Sequence, residues 1–326
     1  MTSAIRLQGV TKRFRDTLAV SNLDLELPAG SLCGFLGPNG AGKSTTIRMI
    51  MSIIHPDQGR VEVLGGSALD AKDRIGYLPE ERGVYRKMRV GEFLTYIAAL
   101  KGVAASNARA RVAAWLERVQ LPGVIQKRCE ELSKGMQQKV QFVASVIHGP
   151  ELLILDEPFS GFDPVNARLM AGLVRQISQE GTTIIFSTHQ MVHAEQLCDR
   201  VVLINLGEKL LDATVSEIRA RFDPRTVVVE PLLVGADGIA GRAAPAQMEA
   251  ALAAVPGVTE VRWDDVRRAF GVRVEATEAA RQVMASAVQM GPVRSMELRR
   301  VTLDDVFVQL VGGGPAPSEE GGAADG

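Results

Sequence analysis

Cysteine is scarce in this chain of 326 residues, which contains only Cys33, Cys129 and Cys198. Their odd number and wide spacing match neither a zinc site nor a disulfide framework, so we expect a reducing compartment. The first residues, MTSAIRLQ, lack the basic and then apolar pattern of a secretory leader, and we expect none.

Long apolar runs are missing as well. No stretch approaches the ~18 uninterrupted apolar residues that indicate a membrane-spanning helix. Because 46% of the residues are hydrophobic and 23% are charged, the composition is that of a soluble globular protein, and the length allows two domains. If the protein acts at a membrane, other chains must cross it.

An excess of one charge is also absent. Lysine and arginine number 37 against 38 aspartates and glutamates, which leaves a formal net charge of −1. Such a chain has no overall positive field to attract nucleic acid, and it has no basic stripe. We therefore expect no nucleic-acid partner.

A glycine-rich loop is the first positive signal. It follows the apolar run 32–36, which predicts a buried strand, and precedes a helix predicted over 44–54. Backbone N–H groups in such a loop point into one concavity at a helix N-terminus and bind phosphate oxygens. In such a loop the lysine, here Lys43, binds the β- and γ-phosphates, and the serine hydroxyl, here that of Ser44, is a Mg²⁺ ligand. The predicted phosphate-binding residues are Gly37, Pro38, Asn39, Gly40, Ala41, Gly42, Lys43, Ser44 and Thr45.

Three more motifs follow that loop in order. Leu132 begins the segment LSKGMQQ, and Leu152 begins LLILDEP, whose apolar residues predict a strand ending at two carboxylates. A second strand, predicted over 182–186, precedes His189, and a helix predicted over 166–180 makes the pair a parallel β-α-β unit. The order and spacing of these motifs resemble the ATP-binding subunits of ATP-binding cassette (ABC) transporters over residues 1 to about 220.

The resemblance implies that the chain binds ATP and Mg²⁺ and hydrolyses ATP. In this family the first carboxylate holds Mg²⁺ through water, the second polarises the attacking water, and the histidine contacts the γ-phosphate. Those roles fall on Asp156, Glu157 and His189. The family also stacks an aromatic residue on adenine, which assigns Phe14 that role, with Val20 as a second contact to the base.

A second ATP-binding subunit, a copy of this chain or a related one, is the first implied partner. Ser133 and Gly135 match the signature turn that faces the ATP of the opposite subunit. Lys134 and Met136 replace the glycine and glutamine usual in that turn. Asp163 belongs to a segment, 160–164, that resembles the loop through which the paired subunits of this family sense each other.

Transmembrane permease subunits are the second implied partner. The family has a glutamine after Tyr-x-Pro that contacts Mg²⁺ and reports to the permease, whereas Glu80 occupies that position here. A carboxylate remains an oxygen ligand, so Glu80 is a predicted metal contact. Residues 80–100 are predicted to dock the permease through four apolar side chains: Val84, Tyr85, Met88 and Phe93.

Residues 222–311 predict a second, α+β domain without catalytic residues. Strands and helices are expected in the order β-α-β-β-α-β, which is typical of ferredoxin-like folds. Residues 80–83 (EERG) resemble a branch of bacterial ATP-binding subunits that carry an added C-terminal domain and include sodium-exporting ATPase subunits. The final segment, 312–326, is predicted to be disordered.

The predicted fold is α/β: a P-loop NTPase domain of the ABC type over 1–220, with a helical subdomain at about 88–148, and the ferredoxin-like domain. We expect a cytoplasmic ATPase on the inner face of the cell membrane that drives an exporter. Two alternatives stay open: a non-transport ABC-type ATPase of translation or DNA repair, and a nucleotide-dependent regulator that does not hydrolyse ATP. The single cassette without heptads argues against the first, and Glu157 with His189 argues against the second.

Overall fold

The computed structural model describes residues 2–81, 83–223, 225–232 and 243–312. The chain forms two compact units, Met1–Glu217 and Ile218–Gly326. The domain limits at 220 and 222 stay predictions, and the tail predicted over 312–326 lies outside the described residues except for Gly312. None of the helices in the described ranges is long and apolar enough to cross a membrane.

Strands and helices are interspersed through the described residues up to 221. The strands are β1 (Ser3–Phe14), β2 (Thr17–Pro28), β3 (Leu32–Leu36), β4 (Gln58–Val63), β5 (Ile75–Leu78), β6 (Leu152–Asp156), β7 (Thr183–Thr188), β8 (Arg200–Asn205) and β9 (Glu208–Thr214). The helices are α1 (Lys43–Ile50), α2 (Val90–Leu100), α3 (Ala105–Arg118), α4 (Lys134–Val146), α5 (Pro164–Gln179), α6 (Met191–Leu197) and α7 (Val215–Arg221). Helices packed with a largely parallel sheet give the α/β fold that the sequence predicts.

A six-stranded sheet carries the predicted catalytic carboxylates. Its order is β5-β6-β7-β3-β8-β9, with parallel pairing from β5 to β8 and an antiparallel β9 at the edge. β6, α5 and β7 form the predicted parallel β-α-β unit, and β8 with β9 forms a hairpin. Because the central strands are parallel, their carboxyl ends meet at one edge of the sheet.

Two strands have no clear signal in the sequence. β4 (QGRVEV) is short and polar, and β5 (IGYL) is interrupted by glycine. Their backbones pair with β1 and β6 respectively, so tertiary context overrides weak local preference. The first helix also differs from its prediction over 44–54, because it ends at Ile50 and Ser52 has a positive φ of 55°.

One hydrophobic cluster holds α1 to both sheets of the first unit. The antiparallel sheet, of order β2-β1-β4, contributes Leu7 and Leu25. Ile47 of α1 packs in the same cluster as Phe35 of β3 and Ile154 of β6, and all five side chains are at most 2% exposed. Each such burial contributes about 1.5–3 kcal/mol, so the helix behind the phosphate loop has little freedom to move.

The second unit has the predicted ferredoxin-like order. Its elements are β10 (Thr226–Pro231), α8 (Ala243–Ala253), β11 (Val258–Asp264), β12 (Ala269–Val274), α9 (Thr277–Met290), β13 (Val293–Leu298) and α10 (Leu303–Val311). The sheet order is β11-β12-β10-β13, and every neighbouring pair is antiparallel. Val229 and Phe270 on the sheet form its core with Leu252 of α8 and Val283 of α9. The β-α-β-β-α-β prediction is therefore confirmed.

Close packing at Gly76 of β5 gives a test of this fold. A Cβ atom at Gly76 would lie 2.1 Å from the carbonyl oxygen of Ser145, so Gly76→Ala requires β5 or α4 to shift. We expect the free energy of unfolding to fall by about 1–3 kcal/mol. The control is Gly172→Ala in the exposed part of α5, where a Cβ meets nothing within 4 Å. Because alanine favours the helix, this variant should raise the free energy of unfolding by up to ~1 kcal/mol. Equal urea midpoints for the two variants would contradict this packing.

Candidate functional site

The predicted phosphate loop joins β3 to α1. A Cβ at Gly37 would lie 2.1 Å from the carbonyl oxygen of Ile204, so only glycine fits this close approach of two backbones. Gly42 caps α1 with a φ of 104°, a left-handed conformation that glycine adopts without strain. The loop tip, Asn39 and Gly40, is exposed. The free N–H groups at the start of α1 thus border the loop, where an anion binds favourably.

Lys43 is the buried cation of this loop. Its ammonium group donates to the carbonyl oxygens of Gly37 at 2.7 Å and Pro38 at 2.9 Å. Burial lowers the pKa of Lys43, and nearby carboxylates, led by Glu157, oppose that shift. Phosphate oxygens are stronger acceptors than carbonyl groups for an ammonium group, so the lysine is positioned to exchange these bonds for a triphosphate.

Asp156 ends β6 beside the same loop. Its Oδ1 lies 3.4 Å from Oγ of Ser44 and accepts a hydrogen bond from the hydroxyl of Ser187 on β7. These oxygen donors fit Mg²⁺, which takes one or two protein ligands together with substrate phosphates. Among the described residues, no group of three or more His, Cys, Asp and Glu side chains is arranged to hold a metal by itself.

Glu157 is the most constrained residue of the site. It is 8% exposed and has a φ of 49°, a backbone conformation that is uncommon outside glycine and concentrates at functional sites. Its Oε2 accepts a hydrogen bond from the hydroxyl of Thr188 at 3.1 Å. Its Oε1 accepts one from the backbone N–H of His189 at 3.0 Å and lies 2.8 Å from Nδ1 of that imidazole. Three donors therefore fix both carboxylate oxygens.

Ser187 and Thr188 are functional candidates that motif reasoning leaves out. Each holds one strand-end carboxylate, and the parallel pairing of Asp156 with Ser187 brings them together. The sequence signal is two hydroxyl residues at the end of an apolar strand that precedes His189. That signal has meaning only when β6 and β7 are known to be neighbours.

The signature residues lie at exposed helix N-termini. Ser133 caps α4, and its Oγ accepts from the backbone N–H of Met136 at 3.3 Å. Asp163 caps α5 by accepting from two backbone N–H groups of the first turn, at 2.9 and 3.0 Å. Gly135 follows Ser133 in the first turn of α4. Both N-termini carry partial positive charge and face solvent, where a second molecule can reach them.

Three predicted nucleotide contacts lie in different surroundings. Phe14 is 47% exposed at the end of β1, so its ring is accessible for stacking. Nζ of Lys12 lies over this ring, 5.4 Å from the centroid. Val20 is fully buried in the core and offers no surface to a base. Glu80 is exposed and lines a small cavity of about 60 Å³ with Asp156.

Comparison with known proteins agrees with this geometry. The family described as "ABC transporter" matches residues 20–160. YhaQ of Bacillus subtilis, described as an uncharacterized ABC transporter ATP-binding protein, is 35% identical over 94% of this chain and 98% of its own length. The chain belongs to the ATP-binding subunits of ABC transporters. As a member of this family it is an ATPase that serves transport.

Solved structures support the same fold for this ABC ATPase. One described as the ATP-binding subunit of an ABC transporter superposes with a TM-score of 0.63 at 27% identity, covering 67% of this chain and 93% of that one. The C-terminal domain of DrrA1-3-like ATP-binding proteins matches residues 214–311. The daunorubicin resistance ATP-binding protein DrrA3 of Streptomyces coeruleorubidus is 33% identical over 95% of this chain and 96% of its length. The name of this last relative concerns drug resistance and none of these names mentions sodium, so the sodium-exporting branch stays a prediction.

The Thr188 hydrogen bond gives a test of the site. Thr188→Val keeps the shape of the side chain but removes the donor to Glu157, so the carboxylate loses one of its constraints. We expect kcat for ATP to fall about 10-fold, since a hydrogen bond to a charged group contributes about 1.5–3 kcal/mol. The KM for ATP should stay within about twofold.

The matched control is Thr182→Val, next to the opposite end of β7, where the hydroxyl donates to the carbonyl oxygen of Pro150. That variant should turn over ATP at the wild-type rate. Equal kcat values for the two variants would show that Thr188 does not position Glu157.

Proposed function

We propose that this subunit hydrolyses ATP to drive an exporter whose permease subunits are separate chains. The observation that carries the proposal is the buried Glu157 carboxylate, which three donors fix beside the phosphate loop. The names of two related proteins support export as the direction of transport. LnrL of Bacillus subtilis, a linearmycin resistance ATP-binding protein, is 33% identical over 69% of this chain, and a Nod factor export ATP-binding protein of Burkholderia orbicola is 36% identical over 64%.

In the proposed reaction Glu157 accepts a proton from the water that attacks the γ-phosphorus of ATP, and ADP leaves. His189, which is 43% exposed, would contact the γ-phosphate while its Nδ1 holds Glu157. Lys43 and the N–H groups of α1 stabilise the charge on the phosphates, which is the main contribution in phosphoryl transfer. Mg²⁺, held by Ser44 and Asp156 and contacted by Glu80, would neutralise charge on the β- and γ-phosphates.

Two ATP-binding subunits complete each site in this proposal. Ser133 and Gly135 would reach the γ-phosphate bound by the opposite subunit, because the exposed N-terminus of α4 offers a hydroxyl and free N–H groups. Asp163 would lie near the same interface. ATP thus holds two subunits together, and hydrolysis lets them separate, which gives the permease two alternating states.

Glu157→Gln tests the chemical step. The amide keeps the shape of the side chain but does not accept a proton at neutral pH, so we expect turnover to fall at least ~100-fold. ATP binding should persist, and ATP should hold the variant as a dimer in size-exclusion chromatography. Glu151→Gln, just before β6 at the opposite end of that strand, should keep normal turnover.

A second substitution separates pairing from chemistry. Ser133→Arg places a bulky side chain at the exposed cap of α4 and should prevent ATP-dependent dimerisation of the Glu157→Gln protein. A dimer that persists in the double variant would argue against the Ser133 contact. Near-wild-type hydrolysis by Glu157→Gln alone would remove the assignment of the base.

The permease is proposed to dock near α2. A cavity of about 760 Å³ is lined by Tyr96 of α2 and Ile125, and Tyr85 beside it is 52% exposed. Tyr85 makes edge-to-face contacts with Tyr96 at 6.0 Å and with Phe93 at 5.8 Å. Phe93 is 2% exposed and therefore belongs to the core, which corrects its predicted place in the docking patch. Docking there would hold the subunit at the inner face of the cell membrane.

Cysteine cross-linking tests this docking surface. Native Cys33, Cys129 and Cys198 are all buried, so a cysteine introduced at Tyr96 provides an accessible thiol. Tyr96→Cys should cross-link to permease subunits in the native complex, whereas Leu69→Cys, at a position with 62% exposure, should not. Equal cross-linking from both positions would contradict the proposed face.

A transport assay tests export. Inside-out vesicles that contain this complex should accumulate an export substrate when ATP is added, and daunorubicin is the first probe.

A further inference from the structure

Two adjoining cavities lie within the C-terminal unit. Their volumes are about 570 Å³ and about 1100 Å³, within or close to the size range of ligand pockets in proteins. Both are lined by Asp223, Arg299, Val301 and Asp305, which makes them parts of one depression. All of the lining residues belong to the unit Ile218–Gly326, so the depression needs no contribution from the ATPase unit.

Arginine dominates the lining of this depression. The first cavity has Arg221, Arg225, Arg273 and Arg299. The second shares Arg299 and adds three more: Arg219, Arg267 and Arg300.

Carboxylates neutralise only part of this charge. The lining holds seven arginines and three carboxylates, Asp223, Glu297 and Asp305, an excess of four positive charges. Arg267 and Arg273 also lie 3.9 Å from Asp264 and Glu260 outside the lining, which reduces the excess to two. The whole chain carries a formal net charge of −1, so this concentration of positive charge is local. Like charges that line one depression repel each other, and a bound anion would relieve that repulsion.

Three of the arginines have no carboxylate partner. Within the described residues, no Asp or Glu oxygen lies within 4 Å of the guanidinium groups of Arg219, Arg221 or Arg300. Three arginines of the same unit outside the depression are paired instead: Arg262 with Glu260, Arg281 with Glu278 and Arg294 with Glu230. Most of the described arginines of this unit that lack a carboxylate partner therefore line the depression.

Arg299 is held in place by a carboxylate of helix α10. Its guanidinium donates to Oδ1 of Asp305 at 2.8 Å. Asp305 in turn accepts from the backbone N–H of Thr302 at 3.2 Å, and the hydroxyl of Thr302 accepts from the backbone N–H of Asp305 at 3.1 Å. This capping box at the start of α10 fixes the carboxylate, so the guanidinium group that lines both cavities is preorganised.

We propose that this depression binds a phosphate-bearing anion, such as a compound with a pyrophosphate group. Guanidinium groups present planar pairs of N–H donors that match phosphate oxygens, and several arginines suit an anion with more than one phosphate charge. The ligand is either a free phosphate compound or the phosphate headgroup of a membrane lipid. The inference does not depend on the proposed reaction at Glu157, because the depression and the catalytic residues belong to different units.

Binding of inorganic pyrophosphate tests the free-ligand source. The full chain carries Lys43→Ala, so that the phosphate loop binds pyrophosphate weakly, and calorimetric titration reports on the remaining site. Arg219→Gln with Arg300→Gln should weaken binding at least ~10-fold, because both side chains are unpaired donors. The matched control, Arg294→Gln, removes an arginine of the same unit that pairs with Glu230 outside the depression, and should leave affinity unchanged.

Vesicles test the lipid source with the same variants. The starting protein should co-sediment with phosphatidylglycerol vesicles and not with phosphatidylcholine vesicles. Substitution of Arg219 and Arg300 should abolish the binding to phosphatidylglycerol vesicles, and Arg294→Gln should keep it. Dependence on the depression in only one of the two assays identifies the source of the phosphate. The proposal is wrong if neither assay responds to the double substitution. Circular dichroism of each variant checks that the fold persists, which is expected because both arginines lack side-chain partners.

Discussion

The parallel pairing of β3, β6 and β7 is the constraint on which the rest of the site depends. It sets Leu36 opposite Thr188 and Asp156 opposite Ser187, so the phosphate loop and both carboxylates start from one edge of the sheet. The strands are fully buried, and a register shift of one residue would reverse the direction of every side chain. Hydrophobic burial along the strands thus fixes the positions of polar groups at their ends.

Burial of charge in this site is compensated by hydrogen bonds. Lys43, Asp156 and Glu157 are each less than 9% exposed, and an isolated charge at such depth is costly. Loop carbonyls satisfy the ammonium group, and donors from 187 to 189 satisfy the carboxylates. The same contacts that make the charges tolerable also fix their orientation, as a preorganised site for phosphoryl transfer requires.

The two units use charge in different ways. In the ATPase unit, the buried groups of the site are paired and lie at strand ends or in one loop. In the C-terminal unit, arginines collect around an open depression, and several have no carboxylate near them. The first arrangement suits a reaction that needs fixed geometry, and the second suits recognition of an anion through several guanidinium groups. A ferredoxin-like sheet with one helix-covered face can carry such a function without catalytic residues.

The sequence by itself determined the phosphate loop, the strand that ends at Asp156 and Glu157, and the C-terminal β-α-β-β-α-β order. These features have local causes: glycine conformations, apolar runs and the periodicity of strands and helices. Only the tertiary structure decided the order of the strands, the existence of β4 and β5, the hydroxyl donors at 187 and 188, and the burial of Val20 and Phe93. Such features arise from contacts between residues far apart in the chain, and motif spacing does not encode those contacts. The arginine-lined depression belongs to the same group, because its charges come from separate strands, loops and helix ends.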